Sequence, residues 1–321
     1  MGNRPPPKLN IITRKEIKKR FMELNNGLKC PIIGLGTAKI KNESHINVVY
    51  QSIKDGVRLI DTEPSKEELV GKGIKKAIEE GIVKREELFI VTKLELEEKE
   101  DPESALRKSL KRLQLDYVDL YLDHWPSCVC INNINNYKLI SVKDTWKKME
   151  KLVEPKEQQL TKSIGISNYN AENIFNILSI CNIKPVVNEV EFHPYLYQKD
   201  LKDLCDKENI VLFAYNPLAK GEYVDREYAF NRNLDLFKEN IICKTKDYNA
   251  DLTKGQILLN WHLSMGVVPI PGTSKPDRMK ENLGALNFQI KQRYLDLIGR
   301  DENNKERFND GSKIFGINIF A

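Results

Sequence analysis

Residues 57–94, "VRLIDTEPSKEELVGKGIKKAIEEGIVKREELFIVTKL", read as strand, helix, strand. The outer runs VRLID and LFIVTKL are short, β-branched and almost continuously apolar, as parallel strands covered by helices are. Between them KEELVGKGIKKAIEEG has helical periodicity. The alternation continues in both directions, with strands expected at CPIIGLGT, VDLYLDHW, SIGIS, VVNEVEF, IVLFAYNPL and VVPIPG, eight in all. Another helix is expected at DPESALRKSLKRLQ, with Asp101 as N-cap and Pro102 in the first helical position. Eight strand-then-helix units predict a (β/α)₈ barrel. A doubly wound open sheet that binds a dinucleotide would carry GxGxxG after its first strand, where this chain has only GLGT. Upstream, Asn25-Asn26-Gly27 between two apolar stretches predicts an N-terminal β-hairpin closing the barrel bottom.

The chain has 321 residues, 40% hydrophobic, 30% charged and 8% aromatic, a composition that folds into a core. Its 51 basic residues nearly cancel 46 acidic ones, leaving a net charge of +5 and implying no nucleic-acid partner. No stretch reaches the roughly 18 apolar residues of a membrane span. Six cysteines lie scattered from Cys30 to Cys243, which suits the cytoplasm or another reducing intracellular compartment. Cys128 and Cys130 are too close together for a zinc knuckle, so no metal site is expected. Residues 1–18, with Pro5-Pro6-Pro7 followed by RKEIKKR, form an extended arm, and residues 1–20 are the candidate surface for a protein partner. Residues 19–321 are expected to form one domain, with residues 127–140 as a loop at the mouth and the tail 300–321 folding back onto the barrel.

Barrel enzymes place their chemistry where the strands end, because the loops converge there. Strand 2 ends in Asp61, strand 3 in Lys93, strand 4 in His124, strand 5 in Ser167 and Asn168, strand 6 in Glu189 and strand 7 at Tyr215. A helix cap, a core histidine or a snorkelling lysine explains any one of these alone. Polar groups at matching positions on six consecutive strands are harder to explain as packing. Lysine is rarely buried without a partner, and Asp61 on the neighbouring strand is the natural one for Lys93.

PIIGLGTAK, LIDT, LFIVTKL, DLYLDHWP, SIGISNYN, PVVNEVEFHPYL, AYNPLA and VPIPGTSKPDRMKENLGAL, in that order over residues 20 to 290, resemble the aldo-keto reductase signatures. The ending, with RFND and then GINIF, is similar to that of the xylose reductase branch. The resemblance implies an NADPH-dependent carbonyl reductase using Asp, Tyr, Lys and His. In that chemistry the tyrosine protonates the carbonyl oxygen, Lys and Asp lower its pKa, and His orients the carbonyl. Asp61, Lys93 and His124 occupy three of the four places. The resemblance further implies cofactor contacts from Thr37, Ser167, Asn168, Glu189, Tyr215, Leu218, Thr273, Lys275, Arg278, Glu281 and Asn282, and a substrate pocket including Trp125 and Asn309.

The fourth place is empty. The family loop resembles DTAxxYxNExxVG, with tyrosine five residues after the aspartate and glycine twelve after it. Here Gly71 follows Asp61 by ten, and EPSK stands where a phenol is expected. Ala38 replaces a tryptophan common in the family, and Glu189 replaces a glutamine that holds the nicotinamide carboxamide. A charged Glu189 would favour the oxidised, cationic nicotinamide. These departures together predict a chain that has lost efficient carbonyl reduction and serves as a binding or structural subunit with residual NADP(H) binding. The alternative is an active NADPH-dependent aldehyde or sugar reductase with an unusual proton donor, Lys93 itself or Tyr137.

Overall fold

The computed structural model describes residues 12–13, 20–126, 129–133, 136–153, 159–219, 242, 251–298 and 306–311, with side chains for all of these except 12–13, 44 and 129–139. The arm apart from Ile12–Thr13, the side chains of Cys128, Cys130 and Tyr137, and the tail apart from residues 306–311 lie outside this set.

All eight expected strands form: β1 Gly34–Gly36, β2 Leu59–Asp61, β3 Phe89–Leu94, β4 Leu120–Asp123, β5 Ile164–Ser167, β6 Val187–Glu191, β7 Val211–Tyr215 and β8 Val268–Ile270. Each pairs in parallel with the next, and a parallel bridge between Gly36 and Gly272 closes the ring from β8 back to β1. The helices that follow them in turn are α1 Ile46–Lys54, α2 Glu67–Glu79, α3 Pro102–Leu113, α4 Val142–Glu150, α5 Ala171–Leu178, α6 Lys199–Lys207, α7 Lys254–Ser264 and α8 Pro276–Leu283. Asp101 caps α3 by accepting from the Ser104 N–H at 3.0 Å, with Pro102 inside the first turn.

Side chains alternate across each strand, so a residue's parity decides its layer. Leu59, Phe89, Val91, Leu120, Leu122, Val187 and Phe213 pack together inside the barrel. Their neighbours Ile60, Ile90, Tyr121, Val190, Leu212 and Ala214 pack in the layer beneath the helices. Gly165 is needed on β5, because a Cβ there would lie 2.7 Å from Leu122 and 2.8 Å from the Val187 carbonyl. Continued towards the C-terminal rim, the inward parity falls on Asp61, Lys93, Ser167, Glu189 and Tyr215. Packing below thus aims these polar groups at the mouth.

At the other end, Phe21–Glu23 pairs antiparallel with Lys29–Pro31 across a turn in which Gly27 takes a φ of +84°. Leu24 and Cys30 from this hairpin join the interior cluster, and Asn25 donates to the carbonyls of Pro185 and Asn209 at 2.9 and 3.1 Å. The hairpin is thereby fastened over the barrel bottom. Ile12–Thr13 pairs with Gln289–Ile290, a contact the sequence did not announce. Among the described residues no helix is long and apolar enough to cross a membrane.

Candidate active site

Lys93 is the centre of the rim. Its ammonium donates to Asp61, donates to the Thr62 carbonyl at 3.1 Å and lies 3.2 Å from Glu189 Oε1, so its three protons have three partners. All three side chains are almost fully buried. Burial opposes the lysine's charge, but Asp61 and Glu189 outweigh it and hold the ammonium above its usual range. The carboxylates are frustrated in turn, since burial raises both and Lys93 only partly offsets it for Asp61. Burial and the Asp61 charge push Glu189 up to about 8. One ammonium thus faces two carboxyls carrying a single negative charge near neutral pH. Asp61, with the closer contact, keeps the charge, and Glu189 keeps a proton. The charge expected of Glu189 from sequence is therefore withdrawn, because a neutral carboxylic acid can donate and accept much as an amide does. Glu189 Oε2 is buried with no hydrogen-bond partner.

His124, just beyond β4, faces a carboxylate that sequence reasoning missed. Its Nδ1 lies 2.9 and 3.0 Å from the two carboxylate oxygens of Glu95, the residue after β3. Burial would raise Glu95, yet the His124 hydrogen bond and charge hold it below the usual carboxylate range. The signal available in the sequence was the position of Glu95, immediately past a strand that carries Lys93. Glu63 completes a cluster in which the nearest atoms of Glu63, Glu95 and His124 all lie within 4.8 Å of one another.

The other predicted residues fall into three groups. Thr37 donates to the Asp61 carbonyl through its N–H at 3.0 Å and its hydroxyl at 2.8 Å, fixing the rim between β1 and β2. Ser167 donates to the Glu189 carbonyl at 2.9 Å, Asn168 donates to the His124 carbonyl at 3.1 Å, and Tyr215 donates to Asn168 Oδ1 at 2.8 Å. This chain of bonds ties the ends of β4, β5, β6 and β7 together. Asn168 takes a φ of +65°, a conformation that asparagine tolerates better than most side chains. Leu218 packs against the apolar core.

After β8, Thr273 Oγ1 accepts from the Lys275 N–H at 3.0 Å and shapes the entry to α8. Lys275 and Arg278 are exposed there, with no side-chain partner among the described residues. Glu281 and Asn282 sit against the start of α7, near Gly255. On the far side, Trp125 is buried, and a Cβ on Gly311 would lie 2.4 Å from its ring, so the tail lies directly on the indole. Asn309 is engaged with Glu191, donating through its N–H at 2.8 Å and its side-chain amide at 3.2 Å. Glu191 also accepts from the Phe308 N–H and from Asn216, and so anchors the tail from inside β6.

The segment between Asp61 and α2 is short. Residues 64–66 form a turn, and Ser65 is exposed and donates to Glu63 at 2.8 Å. No phenol is present between Asp61 and Gly71.

The Aldo/keto reductase family profile matches residues 32–299. The chain belongs to the aldo/keto reductase family. It is 35% identical to an NADH-dependent D-xylose reductase of Candida parapsilosis, over 94% of this chain and 97% of that protein. It is 39% identical to glyoxal reductase of Bacillus subtilis, over 90% and 94% respectively. The crystal structure of a Bombyx mori aldo-keto reductase in complex with NADP superposes with a TM-score of 0.82 at 31% identity, covering 94% of this chain and 98% of that one.

In this aldo/keto reductase the proton on Glu189 has a measurable consequence. An acid whose folded pKa is raised binds more protons folded than unfolded, so stability falls as pH rises from the ordinary value of 4.5 towards about 8. Glu189→Gln removes that penalty. It should stabilise the chain by on the order of 2 kcal/mol at about pH 8 and by little at about pH 5, read by thermal unfolding. A gain independent of pH would show that Glu189 is not the group that titrates.

Proposed function

We propose that this chain binds NADP(H) and reduces small reactive carbonyl compounds, with an efficiency limited by the missing tyrosine. The observation that carries the reading is the inward-facing group of Asp61, Lys93 and Glu189, with His124 beside it on the same rim. The chain's own groups suit the cofactor. Glu189 offers a buried, unpartnered carboxyl oxygen for an amide, and Lys275 and Arg278 present exposed positive charge beside the start of α8, where a phosphate is favoured. When bound, NADPH supplies the hydride. Ser167, Asn168 and Tyr215 would orient it, and the acidic lining of Glu63 and Glu95 favours neutral over anionic carbonyl compounds.

Two measurements test this. Fluorescence titration should show tighter binding of NADPH than of NADH. Arg278→Ala should weaken NADPH about 10- to 100-fold, the loss of one charge-assisted contact, and leave NADH unaffected. Equal weakening of both would take Arg278 away from the 2′-phosphate. NADPH oxidation with nitrobenzaldehyde should be slow but above the enzyme-free rate.

The absent phenol favours a second reading, a binding or structural subunit whose partner engages residues 1–20. Tight cofactor binding with no turnover of any aldehyde would favour that reading over the first.

A further inference from the structure

We propose that His124, held by Glu95, donates the proton to the substrate carbonyl oxygen in this chain, a role for which the segment after Asp61 offers no phenol. The inference rests on the reductase reading above. The ammonium and hydroxyl candidates at the rim are engaged, and the free Glu189 oxygen is the one assigned above to the cofactor's amide. All three protons of Lys93 have partners, the Tyr215 hydroxyl donates to Asn168, and the Ser65 hydroxyl donates to Glu63. His124 has one ring nitrogen committed and one open. Nδ1 meets both oxygens of Glu95, whereas Nε2 has no partner among the described residues, and the side chain is 16% exposed.

A carboxylate on Nδ1 does two things for an imidazole. It fixes the ring's orientation, so Nε2 points away from the carboxylate, and it stabilises the ring while it carries a positive charge. Glu95 is suited to this because it stays ionised. The charged neighbours act in the same sense. Glu63 from the loop after β2 lies on the same side as Glu95, and Asp61 at the end of β2 feels the charge of His124. The opposing cations are already neutralised, Lys93 by Asp61 and Lys99 by Asp123. The Trp125 ring, its centroid 5.4 Å from that of His124, adds an apolar neighbour without charge.

The step balances. The carbonyl carbon accepts a hydride with its electron pair from NADPH, the C=O π pair moves to oxygen, and oxygen takes the proton from Nε2. His124 is left neutral, with Nδ1–H still donating to Glu95, and regains its proton from water. NADPH is oxidised, the carbonyl becomes an alcohol, and one proton is consumed. Glu95 acts through His124, so it is a positioning residue.

The test is steady-state NADPH oxidation with nitrobenzaldehyde from about pH 5 to pH 9, with NADPH affinity measured in parallel as the check on folding. Wild type should lose kcat as pH rises through the titration of an imidazole. Glu95→Gln should lower kcat at least tenfold with NADPH affinity unchanged, and Glu95→Asp should recover most of the rate. His124→Gln should abolish the limb. A Glu95→Gln enzyme with wild-type kcat and pH profile overturns the proposal. So does loss of the limb in Glu189→Gln, which would give the proton to Glu189. Activity abolished by a chelator and restored by zinc also overturns it, making Glu63, Glu95 and His124 a metal site. A wild-type chain that binds NADPH and reduces no aldehyde overturns the reductase reading itself, an outcome distinct from all of these.

Discussion

Replacing residues 63–66 with a six-residue segment that carries a tyrosine five positions after Asp61 should raise aldehyde turnover by roughly 10- to 100-fold. General acid catalysis contributes about 10² to 10⁴ in rate, and with His124 as the proposed donor part of that is already in place, so the gain should sit at the lower end. The graft is bounded by two fixed points. Asp61 is held by Lys93, and Glu67 in the first turn of α2 accepts from Thr92 and Arg112, both at 2.6 Å. What is removed between them is the exposed hydrogen bond from Ser65 to Glu63, the turn bond from the Lys66 N–H to the Glu63 carbonyl and the Glu63 carboxylate beside Glu95, none of which ties this segment to the barrel core, so the fold should tolerate the longer loop. The new phenol would lie against the Lys93 ammonium, whose charge favours the phenolate and so sharpens the phenol as an acid. The readout is kcat with NADPH and nitrobenzaldehyde, and a falling limb displaced towards the tyrosine range. A graft that binds NADPH normally yet turns over no faster would mean that protonation does not limit the rate.

Lys93→Met should destabilise the chain by about 3 to 5 kcal/mol at neutral pH, the usual loss when one partner of a buried pair is removed. Asp61 and Glu189 would then face each other with no ammonium between them, in a site that water barely reaches. Both would hold protons more tightly than when unfolded. The sign follows from linkage: destabilisation is small at about pH 2, below the ordinary values of 3.8 and 4.5, where both are protonated in either state, and it grows as pH rises through those values and the unfolded chain ionises. Denaturant unfolding at several pH values measures it. Adding Asp61→Asn should recover much of the loss at neutral pH. A loss that is flat with pH would show that the lysine contributes packing alone.

Local pattern was enough for the frame. Eight apolar runs such as VRLID and LFIVTKL became eight parallel strands, because a strand buried on both faces must be apolar throughout. Asp101-Pro102 became the start of α3, and Asn25-Asn26-Gly27 became a hairpin turn, since caps and positive φ are properties of a few adjacent residues. The positions of Asp61, Lys93, His124 and Glu189 were legible for the same reason: strand ends can be counted, and a barrel brings them to one rim.

Their states were not legible. That Glu189 keeps a proton depends on burial against Asp61, which lies 128 positions earlier in the chain, and no property of the string NEVEF carries it. That His124 has a carboxylate partner depends on β3 and β4 lying side by side, so that Glu95, 29 residues away, reaches Nδ1. Glu191 gathers the N–H groups of Phe308 and Asn309 from 117 and 118 residues further on. Alternation and capping act within a few residues and were determined by the sequence alone. Desolvation and charge pairing act between side chains that only the closed barrel brings together, so tertiary structure decided where the protons of this site reside.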